Sequence, residues 1–90
     1  MNYNHIIKTE TITENTRIEA NEGFTSIEFF LFGRGGGADI YINDQIPISS
    51  LGSYRVINEP YVKIISDFKI TSAVTPFSLI VVKHFYKEAE

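Results

Sequence analysis

Two runs of this chain carry large apolar side chains on both faces of the pleat. The first is Ile27-Glu28-Phe29-Phe30-Leu31-Phe32; the second is Phe77-Ser78-Leu79-Ile80-Val81-Val82-Lys83-His84-Phe85-Tyr86. Successive side chains of a strand point to opposite faces, and a two-layer β domain gives each strand one core face and one solvent face. Apolar bulk on both faces asks for a second cover. In a chain of ninety residues, that cover can be another subunit.

Ninety residues make a single domain, spanning 1–90, and a domain of this size buries only about 60–65% of its unfolded surface. Seven Phe and five Tyr still give it material for a core, since burying a Phe-sized side chain contributes roughly 1.5–3 kcal/mol. The absence of cysteine removes disulfides, thiolate metal sites and a Cys nucleophile, and is compatible with a reducing cytoplasm. No charged stretch followed by an apolar one opens the chain, so no secretory signal is expected. The longest apolar run is broken by Ser78, Lys83 and His84, far short of the ~18 residues that span a bilayer. The formal charge is −3, with Glu10, Glu14, Glu19, Glu22 and Glu28 set against Lys8 and Arg17 in the first third. Nucleic acid is therefore a poor partner, because affinity there comes from neutralising phosphates. A basic helix for a membrane surface is equally missing.

Apolar residues seldom recur at helical spacing, whereas β-branched and aromatic residues cluster between Gly, Asn, Asp, Pro and Ser. The pattern predicts strands over 5–13, 17–20 (with Ile18 and Ala20 facing in), 24–32, 38–42, 45–48, 53–57, 61–65, 68–71 and a last one from Phe77. Asn43-Asp44 supplies a tight hairpin turn, since both residues tolerate positive φ. Pro47 lacks an amide donor and assigns its strand to a sheet edge or a bulge. Eight or nine short strands at this spacing predict an all-β, antiparallel, jelly-roll-like β-sandwich.

Constellations for chemistry are thin. Gly33-Arg34-Gly35-Gly36-Gly37-Ala38 fits Gly-x-Gly-x-x-Ala, but a strand follows where the pyrophosphate requires a helix. The loop reads as a solvated connection, with Arg34 as the group that can clamp a carboxylate or phosphate of a partner. His5 and His84 stand at opposite ends of the chain. First and last strands often pair, so the two can approach, yet a catalytic zinc needs three protein ligands. Asp39, Asp44, Glu59 and Asp67 lie in or beside turns, where such side chains usually bond their own backbone. Ser49, Ser50 and Ser53 lie outside any Gly-x-Ser-x-Gly elbow. No enzyme, cofactor or metal is expected. Tyr41, Tyr54, Tyr61 and Tyr86 fall on expected strands, where a ring can anchor an interface, stack on a sugar or pack at a boundary.

From Ala38 onward the order of features resembles small β-rich virion proteins of gut bacteriophages, of the capsid-decoration or head-fibre type. The elements are Tyr41-Ile42-Asn43-Asp44, Ile46-Pro47-Ile48, Leu51-Gly52, Asn58-Glu59-Pro60 and Val62-Lys63-Ile64-Ile65 to the end. Asn43-Asp44 stands where those proteins tend to have Asn-Gly, and Ile46-Pro47-Ile48, with Leu51-Gly52 later, replaces their Leu-x-Pro-Gly. The resemblance implies a symmetric oligomer, a trimer being one form, located in a virion, and it implies no active site.

The expectation is thus a non-enzymatic structural or adhesion component that associates with itself, and with other virion proteins, through an apolar sheet face. Alternation assigns Phe29, Leu31, Leu79 and Val81 to the core and Phe30, Phe32, Ile80, Val82 and Tyr86 to the interface. A one-residue bulge exchanges the two faces. The alternative is a carbohydrate-binding module using Tyr41, Tyr54 and the Gly-rich loop with Arg34 on a surface glycan. A small-barrel enzyme or lipid carrier is a third reading, recognisable by a closed cavity with convergent polar groups.

Overall fold

The computed structural model describes residues 3–34, 39–49 and 51–88. Eight strands form among them: β1 (Tyr3–Ile12), β2 (Thr16–Ile18), β3 (Ser26–Arg34), β4 (Ile40–Ile42), β5 (Ile46–Ile48), β6 (Ser53–Ile57), β7 (Phe68–Ser72) and β8 (Phe77–Glu88). A short 3-10 helix, Ala20–Glu22, links β2 to β3. The strands make two antiparallel four-stranded sheets, ordered β1-β8-β3-β6 and β2-β7-β4-β5. Among the described residues, only the β4–β5 hairpin pairs strands adjacent in sequence.

The sheets pack face to face because each offers one apolar side. Ile27, Phe29, Leu31, Phe77, Leu79 and Val81 come from the first sheet; Ile18, Ile40, Ile42, Ile48, Phe68 and Ile70 come from the second. Phe29 sits at the centre, its ring 5.4 Å from Phe68 across the layers and 6.3 Å from Tyr54 beside it. Strict alternation in β7 and along β8 as far as Lys83 writes this core into the sequence.

Turn chemistry fixes the hairpin. Asn43 (φ 54°) and Asp44 (φ 60°) are both left-handed, as the central residues of a type I′ turn demand, and the Gln45 amide donates to the Ile42 carbonyl at 3.1 Å, with Ile42 pairing to Ile46 across the three-residue loop. The Asn43 side chain also accepts from the Lys69 amide at 2.8 Å, locking the turn to β7. Pro47 lies on β5, the edge of its sheet, where no ladder needs its missing donor.

Two expectations are corrected. Neither sheet curls or closes on itself, so the jelly-roll-like description gives way to an open antiparallel sandwich. Strand length is the reason. β2, β4 and β5 span three residues each and leave little length over which to bend, while the β1–β8 ribbon runs past them. The molecule is drawn out to 49 × 20 × 16 Å. Residues 61–65, expected as a strand, instead form a connection. There the Val62 amide donates to Glu59 and the Ile64 amide to Phe24. Ile64 alone of the five is buried, plugging the core.

Candidate interaction surface

The outer face of the β1-β8-β3-β6 sheet can be read row by row from its register. One row crosses Thr11, Ile80, Phe30 and Ser53; the next crosses Thr9, Val82, Glu28 and Arg55; a third crosses Ile7, His84, Ser26 and Ile57. Phe30, Ile80 and Val82 are therefore contiguous and half-buried by one another. Beside them β3 bulges. Leu31 pairs with Leu79 but Gly33 pairs with Ser78, leaving Phe32 as the extra residue. Phe32 is 66% exposed. The bulge falls at the end of the run, so Phe29 and Leu31 stay in the core and Phe30 faces out.

A polar cluster borders this apolar patch. His5 Nε2 and His84 Nδ1 lie 2.8 Å apart, and His84 Nε2 lies 3.1 Å from Glu28 Oε2. The carboxylate only accepts, so His84 donates from Nε2; a neutral His84 then accepts at Nδ1, making His5 the donor. Tyr86 stacks on His5 with ring centroids 4.4 Å apart. It belongs to this end of the face, with His84 between it and Val82 along the strand.

The inner face of the same ribbon closes differently. Beyond Val81 the shorter strands of the second sheet give out, and the core position is taken by Lys83, 6% exposed. Its ammonium donates to Glu10 Oε1 at 2.8 Å and to both oxygens of Glu22, at 2.9 and 3.0 Å. Burial alone pushes this lysine down, but the hydrogen bonds and charges of Glu10 and Glu22 outweigh it and raise it above its ordinary value. Phe85, the next inward residue, meets Phe24 edge-on and carries the Lys8 ammonium 5.1 Å above its ring.

Of the residues singled out by sequence, Phe30, Phe32, Ile80 and Val82 are thus brought together and Tyr86 is set apart from them. Tyr41 and Tyr54 do not share a face. Tyr41 is exposed on β4, between the buried Ile40 and Ile42, while Tyr54 turns inward against Phe29. The backbone of Arg34 pairs with Phe77, and the Gly35–Ala38 part of the loop expected to bind a partner lies outside the described residues. Sequence reading missed the Lys83 cluster, although a lysine inside an apolar alternation is a visible signal that acidic partners are needed.

Among the described residues no group of three or more His, Asp or Glu side chains is placed to hold a metal ion. A cleft of about 480 Å³ beside the 58–67 connection is lined by Val56, Val62, Ile64, Ile65 and Phe68, with Asn58, Lys63 and Ser66 among them. No family model, curated protein or solved structure matches the chain.

Proposed function

We propose that this chain is a non-enzymatic structural or adhesion component that assembles with copies of itself through the outer face of the β1-β8-β3-β6 sheet. One observation carries the reading: Phe30, Ile80 and Val82 are contiguous on a face that no second layer covers among the described residues, with Phe32 projecting beside them. An apolar core rimmed by polar groups is the usual anatomy of a protein interface, and Glu28, His84 and His5 supply such a rim. The order of turns after Ala38, resembling small phage virion proteins, supports setting that assembly in a particle.

Ile80→Lys tests it. The substitution places a charge at the centre of the patch without touching the buried face. Light scattering after size exclusion is expected to show a larger assembly for the unmodified chain than for the folded variant. Identical masses for the two, with circular dichroism unchanged, would remove this face from the assembly.

A further inference from the structure

Four strand edges bound the sandwich: β1 and β6 in one sheet, β2 and β5 in the other. Three are blunted. β2 and β5 have three residues each, β5 carries Pro47, and β6 has five. Short strands and proline are devices that stop an edge from templating another chain. β1 has neither. Its ten residues hold an unbroken register with β8 from Tyr3–Glu88 to Ile12–Leu79. None is buried, and Ile6 and Ile7 stand exposed on opposite faces. No strand lies along its far side among the described residues.

We infer that β1 pairs edge to edge with β1 of a second copy of this chain, antiparallel about a two-fold axis at Thr9, joining two four-stranded sheets into one of eight. The inference rests on the self-assembly reading above and adds a second contact to it.

Charge selects the register. Lys8 and Glu10 flank Thr9 on the inner face of the strand. With Thr9 opposite Thr9 of the copy, each Lys8 faces a Glu10, Ile7 faces Thr11 and Ile6 faces Ile12. Centring the pair on Lys8 or on Glu10 would instead oppose like charges, which is unfavourable directly across a ladder. Centring it on Ile7 leaves both charges facing uncharged residues. The Thr9 register alone among these forms two opposite-charge pairs, and it extends the existing Glu10–Lys83 contact.

Area supports the same conclusion. A face four strands wide is about 19 Å across and, over roughly 25 Å of length, offers about 500 Å². A stable interface buries about 800 Å² per partner. Because residues directly opposite share a face, pairing at Thr9 puts the Phe30, Ile80 and Val82 patches of both copies on one side. The patch available for further assembly doubles.

The chain has no cysteine, so single cysteines report the register directly. Thr9→Cys, Ile7→Cys and Thr11→Cys are each oxidised under mild conditions, alone and on the Ile80→Lys background. Opposed strand residues have Cβ atoms about 4.5–5.5 Å apart, near disulfide reach, whereas four residues of offset separate them by about 13 Å. Thr9→Cys is expected to convert to a disulfide dimer, on both backgrounds. Ile7→Cys and Thr11→Cys form no disulfide alone and cross-link when mixed. Preferential self-linking of Ile7→Cys would overturn the register, and no linking by any variant would overturn edge pairing. Loss of all linking on the Ile80→Lys background would also overturn it, tracing the contact to the sheet face instead. A light-scattering oligomer without cross-links leaves the sheet-face reading intact, and a monomer of the unmodified chain removes both.

Discussion

Lys83 Nζ lies 2.8 Å from Glu10 Oε1, a diagonal contact across the β1–β8 ladder that ties the outermost strand to the core. Glu22 completes the set from the 3-10 helix. The carboxylate side chains are half exposed and the lysine is not, so the partners are unequal. Removing both acids (Glu10→Gln with Glu22→Gln) strands a buried ammonium and is expected to cost about 2–3 kcal/mol. Lys83→Met lets the carboxylates rehydrate and should cost under about 1 kcal/mol. Urea denaturation of the variants checks the asymmetry; equal costs would contradict it.

The same cluster sets an alkaline limit. Lys83 titrates above its ordinary value of 10.5 in the fold. Its stabilising contribution is therefore fully present below about that pH and is lost as pH rises through the raised value. The difference in stability between the unmodified chain and Lys83→Met should be constant from neutral pH to about 10 and shrink above it. A difference that grows with alkalinity would reverse the sign and refute the assignment.

Phe29 and Phe32 are three residues apart and should behave oppositely. Phe29 is fully buried between Tyr54 and Phe68, and Phe29→Ala is expected to cost about 3–5 kcal/mol. Phe32→Ala should leave the stability of the dilute chain within about 0.5 kcal/mol and weaken self-association. Thermal melts paired with a concentration series separate the two effects.

Leu51 holds a left-handed backbone (φ 63°) although it is 80% exposed. Its amide donates to Leu31 at 2.8 Å, and the Gly52 amide donates to Ser49, so the turn is fixed by backbone bonds. A side chain with a Cβ is disfavoured there by roughly 1–2 kcal/mol. Leu51→Gly should therefore raise stability by about 0.5–1 kcal/mol, net of the extra freedom glycine has when unfolded. A loss of stability would show that the leucine side chain has a contact of its own.

Local chemistry was legible in the chain; beyond the pairing of first and last strands, distant contacts were not. Asn43-Asp44 announced its hairpin because turn geometry depends on neighbours only, and alternation placed Phe29, Leu31, Leu79 and Val81 on one face. The Tyr61–Ile65 run has strand composition, yet its amides go to Glu59 and Phe24, partners that no periodicity encodes. Lys83 meets Glu22 across 61 positions, a cluster that exists only once the sheet has formed, whereas the approach of His5 to His84 across 79 follows from the expected pairing of first and last strands. The outer patch was readable as surplus apolar bulk. Its division into an aliphatic centre and a histidine-rich end required the register.

Sedimentation equilibrium of the unmodified chain over a range of micromolar concentrations tests the assembly claim most directly. The expected mass is a whole multiple of 10.2 kDa, at least two, falling toward the protomer on dilution and reduced in Ile80→Lys. A single species of 10.2 kDa at every concentration would contradict it.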